Sequence, residues 1–212
     1  MAPRGRPRGF DRDEALRRAL AVFWERGYEA TSLSDLTSAM GIAGPSLYAA
    51  FGSKEQLFRE TVELYSRLDG AIADRALAEE PTARAAIERM LRENARAYVR
   101  AGQPSGCMIV LAATNVTPAN KGVGDYLAEL RRNSRAAILA RLERGVAEGD
   151  LPPGTDVRAL AGFVSTVMHG LSFEARDGLS EAALEATVER AMAAWDALVG
   201  HGDAAELPTP AP

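Results

Sequence analysis

Residues 31–58 read TSLSDLTSAMGIAGPSLYAAFGSKEQLF, and the rest of the chain can be placed by reference to them. Thr31-Ser32 precede a short periodic run, Leu33, Leu36, Ala39 and Met40, that Gly41 closes. Ser32 and Asp35 have the spacing of a capping box, with the carboxylate near the positive end of the helix dipole. A second short helix is expected from Gly44 to Ala50, with Pro45 in its first turn, where a missing N–H costs little. Gly52 ends it, and Ser53-Lys54-Glu55-Gln56 opens a further helix through a Ser cap with Gln three residues on. Two short helices on a tight Gly-containing turn make a helix-turn-helix, whose second helix fits a DNA major groove.

Upstream, Phe10-Asp11-x-x-Glu14 has the pattern of a capping box at the start of a longer helix. Leu16, Ala19, Leu20 and Phe23 share one face of it, and Gly27 suits the position just past its end. Phe23, Tyr28, Leu33, Leu36, Leu47 and Phe51 are the expected small core behind the second short helix, and Trp24 is read as packing too. On that second helix, Leu47 and Phe51 point inward, leaving Gly44, Pro45, Ser46, Tyr48 and Ala49 for DNA. Ser46 can hydrogen-bond a base edge or a phosphate, while Pro45 and Ala49 offer apolar surface to thymine methyls. No Arg, Asn or Gln lies on this helix for bidentate base reading, which shifts specificity towards methyl contacts and DNA shape. Residues 1–9, MAPRGRPRG, read either as a disordered tail or as an arm whose Arg4, Arg6 and Arg8 follow phosphates or enter the minor groove.

Beyond Lys54 the pattern stays helical. One helix is expected towards Leu77, with a possible break at Gly70, and another from Thr82 to about Gly102. A short apolar helix starts at Cys107, and Thr117-Pro118 stops it. A long helix then carries Tyr126 to Val146, and two more span Asp156 to Arg176 and Ser180 to Val199. Residues 201–212 are Ala/Pro-rich and read as a disordered tail. The expected division is an arm at 1–9, a three-helix reading unit at 10–54, a helical body at 55–200 and the tail. The fold class is all-α, with about nine helices, since no β-branched alternating runs appear.

The net charge of −4 does not by itself suggest nucleic acid, but its distribution does. Residues 1–54 hold eight Lys+Arg against six Asp+Glu, and the remainder 17 against 23. A mildly basic end on an acidic body fits a protein that meets DNA at one end. The single cysteine excludes an intrachain disulfide and suits a reducing cytoplasm. With two histidines and that one cysteine, a metal site has almost no soft ligands to draw on, and no cofactor motif is present. No apolar run is long enough to cross a bilayer.

The segment Phe10–Phe58 resembles the TetR (tetracycline-repressor-like) family of one-component regulators. The resemblance rests on Phe23, Gly27, Tyr28, Thr31 and Ser32, then Gly41, Ile42, Ser46, Leu47, Tyr48 and Phe51, then Ser53, Lys54, Glu55, Leu57 and Phe58. The chain departs from commoner members at Ala43, where a Ser cap is frequent, and at Ala49-Ala50, where a His/Tyr pair is usual. The resemblance implies that Tyr48 and Lys54 hold phosphates, with Thr31 or Ser32 doing so from the preceding helix. It implies a homodimer joined through the last two helices, binding a palindromic operator as a repressor. It also implies a small-molecule inducer in a cavity of the body. Met90, Asn94, Tyr98, Cys107, Met108, Phe163, Met168, His169 and Phe173 are its candidate lining residues, each of which also reads as ordinary core or dimer seam. The helix from Lys54, the covalent link between reading unit and body, is the expected coupling element.

Cys107 follows Ser105-Gly106 at a helix start, where the dipole and free N–H groups lower a thiol pKa. That setting suits an electrophile or oxidant sensor, and the plain alternative is a small buried residue at a helix contact. Two other functions use the same residues differently. One is an enzyme with Cys107 as nucleophile and His169 as base. The other is a constitutive DNA-binding protein without an inducer.

Overall fold

The computed structural model of the chain describes residues 10–200, and the basic arm with Arg4, Arg6 and Arg8 lies outside the described residues, as does the tail 201–212. Among the described residues all regular secondary structure is helical, without a strand. In chain order the helices are α1 (Arg12–Ala30), α2 (Leu33–Met40), α3 (Gly44–Phe51), α4 (Lys54–Arg67), α5 (Ala71–Glu79), α6 (Ala83–Tyr98), α7 (Met108–Leu111), α8 (Lys121–Ala147), α9 (Val157–Arg176), α10 (Glu181–Ala193) and α11 (Trp195–Gly200). Among the described residues, counting α10 and α11 as one and setting aside the single turn α7 leaves nine helices.

The start and stop signals fall close to where the residues put them. Asp11 caps α1 by accepting from the N–H groups of Asp13 and Glu14, but the Glu14 carboxylate turns to Arg18, so the cap works in one direction only. Ser32 and Asp35 do form the reciprocal capping box of α2. Gly27, at φ +75°, breaks the regular winding of α1 where the sequence places a helix end, and one further turn beyond the kink runs to Ala30. The helix that starts at Lys54 breaks at Leu68–Gly70, so α4 and α5 are separate. Ala43 supplies no side-chain cap to α3, and Ser53 caps α4 by accepting from the Gln56 N–H.

Two apolar clusters organise the molecule. The first joins α1, α2 and α3 to α4 through Phe23, Leu36, Leu47, Leu57 and Phe58, and it extends into Met108, Ala112 and Leu127 of the following stretch. Phe23 meets Phe58 edge-on at 5.0 Å, Tyr28 meets Phe58 at 5.1 Å, and Trp24 meets Tyr65 at 4.9 Å. Such aromatic pairs contribute roughly 0.5–1.5 kcal/mol beyond their area burial. The second cluster packs α5, α6, α8, α9, α10 and α11 around Ile87, Leu91, Ile138, Leu142 and Leu184. Leu33 was expected in the first core and is instead 37% exposed. The buried stripe of the eight-residue α2 is Leu36 and Met40, and Leu33, in the first turn, lies off that stripe.

Candidate DNA-reading face and ligand cavity

The second helix of the pair, α3, is held from behind and open in front. Leu47 and Phe51 are buried, while Pro45 and Ala49 are exposed, Gly44 and Ser46 are half-exposed, and Tyr48 is 50% exposed. Arg12 secures the far end of α3: its guanidinium donates to the Ala50 carbonyl, pairs with Glu60 at 2.7 Å and lies 4.4 Å above the Phe51 ring. Lys54 opens α4 with its Nζ 4.3 Å above the Tyr28 ring, and burial pulls its pKa below the ordinary lysine value against the opposing pull of Glu29. A lysine at a helix N-terminus adds its charge to that of the dipole, so the corner fits a phosphate.

Thr31 does not belong to this face. It is 1% exposed and its hydroxyl donates to the Gly27 carbonyl at 2.6 Å, satisfying the backbone where α1 kinks. Ser32 is exposed, with its hydroxyl engaged in the α2 capping box.

A cavity of about 270 Å³ opens in the body between α4, the bend before α5, α6, α7, α8 and α9. Its wall combines Tyr65, Asn94, Tyr98, Cys107, Arg131 and His169 with apolar stretches such as Ile109, Val110 and Met168. Five of the residues expected there are present: Asn94, Tyr98, Cys107, Met168 and His169. The other four are elsewhere. Met90 and Met108 are fully buried in the two cores, one in each. Phe163 and Phe173 lie 37% and 47% exposed on the outer face of α9, because they project from the side opposite its buried stripe of Leu160, Val164, Met168 and Leu171. Sequence reasoning missed Tyr65 and Arg131. Tyr65 sits in the apolar row of α4 and reads as core, and Arg131 is one arginine among several on α8; only the packing brings them to one wall.

The thiol environment corrects the sequence expectation. Cys107 caps the four-residue α7, but burial raises its pKa above the ordinary thiol value, outweighing hydrogen bonds from Tyr65, the Val110 and Ile109 N–H groups and Tyr98. A single turn carries too little dipole to compensate for the loss of solvent. Burial likewise raises the Tyr65 and Tyr98 hydroxyl pKa values, so both remain O–H donors at neutral pH, and it lowers that of His169, with Arg131 adding to the effect. Iodoacetamide alkylation of Cys107 at neutral pH is therefore expected to run slower than that of a free cysteine peptide and to accelerate as pH rises, because the thiolate is the nucleophile. A neutral-pH rate matching the peptide's would contradict this placement. Among the described residues no cluster of three His, Cys, Asp or Glu side chains is placed to hold a metal, and no helix is long and apolar enough to cross a membrane.

A short helix pair with an outward second helix, carried on a helical body with its own cavity, defines a helix-turn-helix regulator. The chain belongs to the tetR family of bacterial regulatory proteins, whose model matches residues 15–61, and the tetracyclin repressor-like C-terminal domain matches residues 85–192. It is 34% identical over 197 residues to the HTH-type transcriptional repressor ComR of Escherichia coli K12, covering 92% of this chain and 94% of that protein. It is 32% identical over 188 residues to the repressor BdcR of the same strain, covering 88% and 90%. Among solved structures, the TetR family regulator CifR is 47% identical with a TM-score of 0.87, covering 90% of this chain and 100% of that one. CifR was solved as cysteine mutants complexed with 26-base-pair double-stranded operator DNA.

Proposed function

We propose that this chain is a homodimeric operator-binding repressor, released when a small molecule occupies the cavity of its body. The observation that carries the reading is α3: Pro45, Tyr48 and Ala49 face outward on a helix anchored by Leu47 and Phe51. An eight-residue helix so presented can enter a major groove, with two copies reading the half-sites of a palindrome. Gly44, Pro45, Ser46, Tyr48 and Ala49 form the reading face, Ser32, Tyr48 and Lys54 the phosphate contacts, and Arg4, Arg6 and Arg8 the arm. Residues 10–54 act as the reading unit and residues 55–200 as the sensing and dimerising body, in the cytoplasm. Exposed Phe163, Phe173 and Leu179 suit the seam between copies.

The ligand would contact Asn94, Tyr98, Cys107, Met168 and His169. A space of about 270 Å³ suits a compact molecule. We infer no catalysis: a thiol with a raised pKa and an imidazole with a lowered one on the same cavity wall favour two neutral groups over a nucleophile–base ion pair. An electrophile or oxidant acting at Cys107 is one form of the ligand, and the cysteine mutants of CifR bear on it only as a neighbour's case.

The deciding experiment is fluorescence anisotropy on DNA flanking the protein's own gene, against scrambled DNA, with and without a thiol oxidant. Tight, sequence-selective binding supports the repressor, and equal affinity for scrambled DNA identifies a constitutive DNA-binding protein instead. Release by oxidant in the native chain but not in Cys107→Ser makes Cys107 the trigger. Lys54→Ala should weaken binding to all sequences alike and lower the salt slope by roughly 1. Tyr48→Phe should cost about 1 kcal/mol, the ordinary worth of one hydrogen bond, also without sequence bias. Unchanged affinity and slope in both variants would remove their phosphate roles.

A further inference from the structure

Two of the cavity's walls also grip the end of α1. Residues 106–112 carry Cys107, Ile109 and Val110 on the cavity side, and on the other side they present two carbonyls to the reading unit. The Trp24 indole N–H donates to the Gly106 carbonyl at 3.0 Å, and the Tyr28 N–H to the Ala112 carbonyl at 2.7 Å. The Tyr28–Ala112 bond joins the backbone of α1 directly to that of the 106–112 segment. The second wall, α9, lines the cavity with Met168 and His169 and reaches the same end of α1 through Arg176. Its guanidinium donates to the Trp24 carbonyl at 2.7 Å and the Glu25 carbonyl at 2.9 Å. These carbonyls lie just before the Gly27 kink, where helical N–H donors run out and the carbonyls need partners from outside. The two walls are themselves tied together, because the Cys107 N–H donates to the Ser172 hydroxyl at 2.8 Å.

We propose that occupancy of the cavity reaches the reading helices through the end of α1, with Trp24 and Arg176 as the positioning residues, rather than through α4. This rests on the ligand-responsive reading above. Among the described residues, α4 meets the cavity only through Tyr65 and Ser66 near its last turn and then breaks at Leu68–Gly70, so it offers a poor lever. α1, by contrast, is held by backbone and charged hydrogen bonds to both walls, and its Phe23 packs into the core that seats Leu36 of α2 and Leu47 of α3. A ligand that favours a displaced 106–112 segment must drag or release Trp24 and Tyr28, and so tilts the reading unit.

The test uses Cys107, the one cysteine of the chain, as a single attachment point on the cavity wall. The full-length protein is alkylated with N-ethylmaleimide, complete labelling is verified by mass, and affinity for its upstream DNA is measured for the native chain, Trp24→Phe and Arg176→Gln. Native protein is expected to lose roughly tenfold in affinity on labelling, within the usual range of allosteric coupling. Both variants, unlabelled, should bind within about threefold of native, and labelling should cost each less than about threefold, as a coupling residue requires. A full loss retained in both variants overturns the proposal. Labelled native protein that still binds tightly sinks the ligand-responsive reading itself, which is a separate outcome. Hydrogen exchange gives a readout that does not depend on the variants folding. Labelling should accelerate exchange in residues 24–31 and leave 54–67 unchanged, and the opposite pattern assigns the coupling to α4.

Discussion

Phe58→Ala is expected to destabilise the protein by about 3–5 kcal/mol, the cost of deleting a fully buried phenyl ring and leaving its cavity. Phe58 is completely buried where α4 meets α1, with the rings of Phe23 and Tyr28 both packed against it at about right angles. Its loss removes two aromatic contacts at once and leaves a void between the reading helices and the segment around Met108. Sequence-selective DNA binding should be lost at lower denaturant than the unfolding of the body, since the second cluster does not use this ring. A midpoint shift worth less than about 1 kcal/mol would mean that the site relaxes around the gap.

Gly106→Ala should be comparably damaging for a different reason. Gly106 adopts φ +78°, and a Cβ there would lie 2.6 Å from the Ser172 carbonyl oxygen and 2.5 Å from Leu111 Cδ1. Leu111 can rotate away, but the Ser172 carbonyl belongs to the backbone of α9 and cannot. Left-handed strain and overpacking together predict a loss of roughly 2–5 kcal/mol. The change also pushes the Gly106 carbonyl off the Trp24 indole, 3.0 Å away in the native chain. DNA binding and thermal stability should therefore fall together, and a variant with native melting temperature would show that the 106–112 segment can shift freely.

The reading unit was legible in the sequence because its determinants are local. Asp11, Ser32 and Ser53 cap helices through hydrogen bonds to residues two or three positions on, and Gly41 closes α2 in the left-handed region. Such bonds depend on short-range geometry that the residue types impose wherever the segment sits. The inward row of Leu47 and Phe51 and the outward Pro45, Tyr48 and Ala49 follow from helical spacing alone. For Thr31 the resemblance implied a phosphate contact, but its hydroxyl is drawn inward by the Gly27 carbonyl that the α1 kink exposes.

The cavity was not legible to the same degree. Met90, Met108, Phe163 and Phe173 are the residue types a pocket uses, yet which side of a helix meets a void depends on neighbours distant in sequence. Tyr65, Asn94, Cys107, Arg131 and His169 come from five segments that share a wall only once α4, α6, α7, α8 and α9 have packed. The Cys107 pKa shows the same limit, since the sequence places the thiol at a helix start but not under the burial that reverses the expected shift. By itself the sequence determined an all-α chain, most of its helix caps, the family and the outward row of the second short helix, because caps, turns and periodicity act within a few residues. Only the tertiary structure decided the cavity wall, the state of the thiol and the grip of Gly106, Ala112 and Arg176 on α1, because these depend on desolvation and on contacts between segments far apart in the chain.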